Sequence, residues 1–280
     1  MDTAAISFPI FGEGFVLNPP SHVSIFGFRL YLYGLFVMAG FVFAALYLYK
    51  RRDTLELTKD NVLDLVIIAV PCGLVGARIY YMLFNFSSYF GSGNWHNIFR
   101  LREGGLAVYG GIIAAGIAFW VYSRVKKIPV GKLLDAAGFG LFVGQALGRW
   151  GNFFNREAYG VETALPWRMG LTTRTGTIYV HPTFLYECLW NVAGLILLHI
   201  FSKKRGRKYL GQYFLIYVAW YGLGRFFIEG IRIDSLYLGS TDIRVSQILA
   251  ALSCAAAVVL LILNHYRKKN ILEENRHDKH

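Results

Sequence analysis

Charge is scarce in this chain, cysteine is nearly absent, and lysine is missing altogether from long stretches. Only 16% of the 280 residues are Asp, Glu, Lys or Arg, where a water-soluble domain carries about a quarter. The three cysteines, Cys72, Cys188 and Cys254, each fall inside an apolar block and form no C-x-x-C pair. That excludes a disulfide framework or a zinc site and leaves small buried hydrophobes as their expected role. The formal charge is +12, yet the basic residues sit in short clusters between apolar blocks and build no basic domain, so nucleic acid is not an expected partner. The first 28 residues lack the basic start of a signal peptide and are interrupted by Pro9, Glu13, Pro19 and Pro20; they are expected to lie at a membrane surface. Fixed-period repeats, low-complexity tracts and a separate soluble domain are also lacking.

What is present is apolar sequence in long blocks. A spanning helix needs about 20 mostly apolar residues, and the blocks predict spans near 29–49, 62–83, 105–123, 133–149, 183–201, 209–228 and 246–265. The fold class expected is an all-α integral membrane protein: one membrane domain, a bundle of about seven transmembrane helices. The segment 150–182 forms an outer loop whose E-T-A-L-P-W-R and T-T-R-T-G stretches imply turns and short strands, hence a small extracytoplasmic cap.

Lysine sets the orientation. All 11 lysines fall in the loop from Lys50 to Asn61, in 124–132, in 202–208 and in the tail from Tyr266. By the positive-inside rule these segments are cytoplasmic. An odd number of spans then puts the amino terminus outside and the carboxyl terminus inside. The opposite side carries arginine instead: Arg29, Arg78, Arg100, Arg102, Arg149, Arg156, Arg168, Arg174, Arg225, Arg232 and Arg244. A guanidinium presents a planar fork of donors that matches a phosphate, so an anionic ligand is expected there.

Ionisable residues at membrane depth are functional candidates by default. Arg78, Arg149, Glu187, Arg225 and Glu229 come from four predicted spans and share one depth, near the outer leaflet. Tyr221, Arg225, Glu229 and Arg232 fall at helical spacing on one stripe. A buried Arg225–Glu229 pair that merely holds the bundle together is the alternative reading of Glu229. Arg225 and Arg232 together exceed what one carboxylate neutralises, and an added phosphate would balance them. Asp64 and Asp135 are read as structural acids in the first turns of their helices.

The densest polar motif is G-R-W-G-N-F-F-N-R-E-A-Y-G, Gly148 to Gly160, which gathers Arg149, Asn152, Asn155, Arg156 and Glu157. Gly140, Gly144 and Gly148 before it are read as helix-packing devices. Arg149 donates to phosphate, and Asn152 both donates to and accepts from a hydroxyl; a phosphodiester with a glycerol tail offers both partners.

This run resembles the signature of the prolipoprotein diacylglyceryl transferases, G-R-x-G-N-F-x-N-x-E-x-x-G. H-P-T-F-L-Y-E (His181 to Glu187), G-R-F-F-I-E-G-I-R (Gly224 to Arg232), Tyr33-Gly34 and G-A-R-I-Y-Y (Gly76 to Tyr81) resemble further segments of that family in the same order. The resemblance implies a bacterial inner-membrane transferase whose active site faces the outer leaflet. Its substrates would be phosphatidylglycerol and prolipoprotein signal peptides with a lipobox cysteine, with no metal or cofactor. The thiol attacks the glycerol carbon of the lipid, a thioether forms, and glycerol phosphate leaves, the first step of bacterial lipoprotein maturation. Arg149, Arg225 and Arg232 are the catalytic candidates for the departing phosphate, with Tyr109 and Glu229 beside them. Asn152, Asn155, Glu157, Gly160, Tyr33, Arg78, His181 and Glu187 are the candidates for substrate binding. In one place the chain departs from the family: G-G-L-A-V-Y-G-G (Gly104 to Gly111) has Tyr109 where many members carry histidine. A free tyrosine ionises near ~10 and is a poor base at neutral pH. Glu157, Glu187, Glu229, Tyr109 and His181 all stay open as proton acceptor, and His181 could instead cap the start of a helix. His22 and His96 are expected to be solvated loop residues. A transporter of anions or lipids with an outer-leaflet arginine site is the main rival, and a membrane scaffold the second. The transporter predicts related halves or a polar path through the bilayer, and neither is visible in the sequence.

Overall fold

The computed structural model describes residues 5–12, 14–86, 89, 104–174, 176–239 and 241–277; Glu13, His96, Arg100 and Arg102 lie outside the described residues. Among the described residues the chain forms seven α-helices and six short strands. It divides into two compact units, Tyr47–Ala136 and the combination of Met1–Leu46 with Ala137–His280. The helices are α1 (Leu32–Leu55), α2 (Lys59–Phe84), α3 (Val108–Lys126), α4 (Val130–Asn155), α5 (Thr183–Lys204), α6 (Gln212–Glu229) and α7 (Val245–His277). All but α6 are long and apolar enough to cross a membrane. Arg225 and Glu229 occupy the last turns of α6, which lowers its apolar content. Large apolar side chains such as Ile67, Ile112, Leu252 and Leu263 are more than half exposed. Such broad apolar faces suit hydrocarbon rather than water.

In the unit Tyr47–Ala136, a reciprocal capping box opens α2. Thr58 Oγ1 accepts from the Asn61 amide at 3.1 Å, and Asn61 Oδ1 accepts from the Thr58 amide at 3.0 Å, an arrangement that stabilises a helix start by about 1 kcal/mol. Glycines then let α2 and α3 touch through their backbones: a Cβ on Gly76 would meet the Gly110 carbonyl oxygen at 2.6 Å. Asp64 accepts from the Tyr122 hydroxyl at 2.7 Å, a helix-to-helix tie that fits a structural role. Asp64 and Asp135 stand at the sixth positions of α2 and α4, because both helices begin earlier than the apolar blocks do; the first-turn acid of α2 is Asp60.

In the other unit, strands β1 (Ala5–Ser7), β2 (Val16–Leu17), β5 (Met169–Thr173) and β6 (Gly176–Val180) form an antiparallel sheet in the order β2-β1-β5-β6. Ile6 of β1 faces Leu171 of β5 and is fully buried. With Met169, Leu171 and Val180 it packs on Phe153 near the end of α4 and Phe184 at the start of α5. This sheet fixes the spacing of those two helix ends. The turns and strands expected between 161 and 180 are present, but their partner strands come from the first 17 residues, which the sequence places merely at a surface. A second hairpin pairs β3 (His22–Ile25) with β4 (Phe28–Tyr31) around Phe26 and Gly27, both at positive φ.

Of the three glycines read as packing devices, Gly144 is approached closely: a Cβ on Gly40 of α1 would lie 3.2 Å from its Cα. Gly148 has open space where its Cβ would point, and tighter helix contacts occur at Gly194 and Gly222. The three cysteines are unbonded and lie in α2, α5 and α7.

Candidate active site

The carboxyl ends of α4 and α6 and the amino end of α5 bring Arg149, Glu187, Arg225 and Glu229 together. Glu187, which is 3% exposed, is the hub. Its Oε2 lies 2.6 Å from Arg149 Nη2. Its Oε1 accepts from Arg225 Nη1 at 2.7 Å and from Arg232 Nη1 at 3.1 Å. Arg225 Nη2 also lies 2.5 Å from Glu229 Oε2, so the pair anticipated as a bundle tie is present. Tyr221, one turn before Arg225, stacks on Tyr217 at 5.8 Å, and the Tyr217 hydroxyl accepts from Gln145 of α4 at 2.8 Å.

Two expectations about this cluster need correction. Arg149 does not end its helix. α4 runs on to Asn155, so Arg149 and Asn152 stand three residues apart on one face and hydrogen-bond at 3.1 Å. Arg232 is not on the α6 stripe, because α6 stops at Glu229. Arg244 donates to the Glu229 and Gly230 carbonyls, supplying positive charge where helix carbonyls run out of partners. Arg232 nevertheless reaches Glu187, because its backbone forms a bridge to Gly160.

The charge surplus is also absent. Asp234 accepts both forks of Arg232, at 2.9 Å from Nε and 2.7 Å from Nη2. Arg149, Arg225 and Arg232 are therefore matched by Glu187, Glu229 and Asp234. Burial favours a neutral Asp234, but the hydrogen bond and charge of Arg232 outweigh it and hold the carboxyl below its ordinary value. Burial likewise opposes charge on Arg232, and its contacts with Asp234 and Glu187 more than restore it. Asp234 was missed in the sequence; its signal is an acid two residues after an arginine already singled out.

The rest of the motif surrounds this hub. Glu157 Oε1 accepts from Asn152 at 2.9 Å and Asn155 at 3.4 Å, so one polar chain runs Glu187–Arg149–Asn152–Glu157–Asn155. Gly160 is where three segments meet: its amide donates to the His181 carbonyl at 3.0 Å. A Cβ there would lie 2.7 Å from His181 Cβ and 3.0 Å from the Ile231 carbonyl oxygen. Tyr33 of α1 packs against Gly151, where a Cβ would meet its ring at 2.6 Å. The His181 ring does not cap α5; its Nδ1 sits 3.2 Å from the Tyr186 hydroxyl, and that hydroxyl accepts from Trp167 Nε1 at 2.8 Å. Burial lowers the imidazole from its ordinary value, so it is neutral at neutral pH.

Several other arginines bind the protein's own carbonyls. Arg156 donates to Pro19 and Phe154, and Arg168 to Ala164 and Leu165. Arg78 belongs to the other unit, where it donates to Gly104 at 2.7 Å and Gly105 at 2.9 Å and pins the turn before α3. Tyr109 is in that unit too, the second residue of α3 and 41% exposed.

Set against known proteins, residues 20–263 match the sequence model of the prolipoprotein diacylglyceryl transferase family. The chain is 39% identical over 252 residues to the phosphatidylglycerol–prolipoprotein diacylglyceryl transferase of Clostridioides difficile, covering 90% of this chain and 98% of that one. It is 40% identical over 260 residues to the enzyme of the same name from Enterococcus faecalis, with 90% and 92% covered. To that from Clostridium novyi it is 37% identical over 264 residues, with 92% and 100% covered.

Proposed function

The chain belongs to the prolipoprotein diacylglyceryl transferase family, and from that premise we propose how its residues move the diacylglyceryl group of phosphatidylglycerol onto a prolipoprotein. It is a multi-pass membrane transferase. The lipobox cysteine of a signal peptide supplies the thiol. Sulfur attacks the glycerol carbon of the lipid that bears the phosphate, a C–S thioether bond forms, and the C–O bond breaks. Its electron pair leaves with glycerol phosphate, and the thiol proton passes to a base in the site.

Breaking that bond turns a phosphodiester into a monoester, so negative charge grows on the leaving phosphate. Groups fixed in place beforehand stabilise such charge more than they stabilise the substrate. Arg149, Arg225 and Arg232 are the groups proposed. The observation that carries this reading is Glu187, one buried carboxylate holding three guanidiniums from α4, α6 and the segment after α6. Each guanidinium has five N–H donors, so donors are left to turn toward a phosphate. Asn152, Asn155 and Glu157 extend from Arg149 and suit the glycerol hydroxyls of the headgroup. Tyr33, Gly160 and His181, in the same unit as the guanidiniums, shape the substrate site; for Arg78 and Tyr109 a substrate role rests on the sequence resemblance alone. Glu187 has both oxygens on guanidiniums and Glu229 pairs with Arg225, which favours Glu157 or His181 as proton acceptor within that unit; Tyr109 stays a candidate on the sequence resemblance.

The chain is a single membrane domain in this reading, with α6 as the seventh span and the four-stranded sheet as an extracytoplasmic cap. The amino terminus lies outside, the carboxyl terminus is cytoplasmic, and the arginine site faces the outer leaflet. The lysines at the far ends of α1, α3 and α5 support that orientation. Purified protein, phosphatidylglycerol and a signal peptide with one cysteine provide the test. Diacylglyceryl-modified peptide should appear in the mass spectrum and vanish with Arg149→Ala. Wild-type protein that yields none would remove the reading.

A further inference from the structure

A cavity of about 460 Å³ opens on α5 away from the arginine site. Its size falls within the roughly 300–1,000 Å³ of small-ligand pockets. Phe142 of α4 and Gly194 of α5, both buried, line its inner end, together with the half-buried Trp220 of α6. Gly194 is needed there, since a Cβ would lie 2.6 Å from both the Phe142 and the Trp220 rings. Trp220 is itself locked in place. It stacks on Trp190 at 4.4 Å, and each indole N–H donates to the other residue's carbonyl at 2.9 Å. That wall is rigid. The sides are Leu197, Phe201 and Ile216, with Leu197 half exposed.

The mouth is different in kind. Lys204 and Arg205 line it, and among the described residues no carboxylate pairs with either. The exposed carbonyls at the end of α5 amount to about half a negative charge, which two cations overbalance. From Gly194 to Lys204 is ten residues of helix, about 15 Å, equal to one leaflet of a hydrocarbon core about 30 Å thick. The floor is apolar to one leaflet's depth, and the rim is cationic at headgroup height.

We infer that this groove is a binding site for one acyl chain of an anionic glycerophospholipid, with its phosphate on Lys204 and Arg205, at the opposite end of α5 from the transferase site. The lipid comes from the leaflet that the carboxyl end of α5 faces. The inference goes beyond the transferase reading and needs just the membrane setting of the helices.

The test uses the full-length protein in phosphatidylcholine vesicles containing a trace of photoreactive phospholipid. The probes are phosphatidylserine and phosphatidylcholine, each with a diazirine at the end of one acyl chain. Phosphatidylserine is anionic but has no glycerol headgroup, so the signal is independent of the proposed substrate. Peptide mapping should find the anionic probe on the 194–201 segment above the level of other lipid-facing helix surfaces. Lys204→Gln and Arg205→Gln should each weaken labelling about fivefold, the effect of one basic side chain at an anionic membrane surface. Leu197→Trp, a change on the open side that leaves both cations in place, should block labelling by filling the groove. Equal labelling by both probes, unchanged in the two charge variants, would mean an ordinary lipid-facing surface and overturn the inference. So would anionic-probe labelling no higher than on α7, or labelling that persists in Leu197→Trp.

Discussion

Arg149 of α4 and Glu187 of α5 meet at 2.6 Å at the point where three helix ends converge. Arg225 and Arg232 join the same carboxylate from the other side. Glu187 thus organises the guanidiniums rather than serving one partner. Removing it leaves three largely buried cations facing one another.

Glu187→Gln therefore tests the site as structure as well as chemistry. Breaking a buried ion pair by removing one partner is strongly destabilising, about 3–5 kcal/mol. The variant should melt at a markedly lower temperature than wild type in the same detergent and should lose transferase activity. A variant with wild-type melting and full activity would show that the three arginines do not depend on their shared partner.

Asp234 predicts an acid limb in the stability profile. Its carboxyl lies below the ordinary value of 3.8, with burial opposing and Arg232 outweighing it. Between the two values the unfolded chain binds the extra proton, so stability rises with pH there. The contribution is complete above the unfolded value and is lost as pH falls through the folded one. Asp234→Asn should flatten that limb of a melting-temperature profile measured at acid pH while lowering stability near neutrality. Superimposable profiles would remove the Arg232–Asp234 fork from the account.

Gly160 and Gly148 bracket the same motif but have different surroundings. Gly160→Ala forces a Cβ to within 2.7 Å of His181 and 3.0 Å of the Ile231 carbonyl. Overpacking of this kind typically costs about 1–3 kcal/mol, and here it pushes apart the segments that carry His181 and Arg232. Gly148→Ala places its methyl in open space. The first should depress both melting temperature and activity, and the second should leave the melting temperature within a degree or two or raise it, since alanine favours helix by about 1 kcal/mol. Equal behaviour of the two would contradict this reading of the motif.

Tyr109 occupies the second position of α3, half exposed. Tyr109→His introduces a group that titrates near ~6.5 when free. The pH profile of kcat/KM for that variant should gain an inflection in the neutral range that wild type lacks. Matching profiles would place residue 109 outside the proton-transfer path.

The helices were legible because lipid imposes a simple rule: each apolar block of about 20 residues contains one, and errors fall at the ends, where polar residues extend α2, α4 and α7. The arginine cluster was legible for the same reason, since charge at membrane depth stands out. The sheet was not. β1 pairs with β5 across more than 150 residues of sequence, and strands of two to five residues carry little periodicity. Nor did the sequence show what the arginines bind. Whether a guanidinium meets a carbonyl, as in Arg156 and Arg168, or a carboxylate, as in Arg149, depends on distant backbone. Asp234, which cancels the anticipated surplus, sits in a loop with no helical spacing to mark it.

The central claim is that the guanidiniums act on the departing phosphate more than on the resting lipid. Steady-state kinetics of Arg149→Ala, Arg225→Ala and Arg232→Ala, with phosphatidylglycerol varied at saturating peptide, test it most directly. An interaction made chiefly in the transition state lowers kcat and kcat/KM together, and the loss of one such donor typically lowers kcat about 100- to 1000-fold. The account predicts that fall with KM changed by no more than a few-fold. Variants that keep wild-type kcat and raise KM alone would contradict it, by making the arginines a docking site and nothing more.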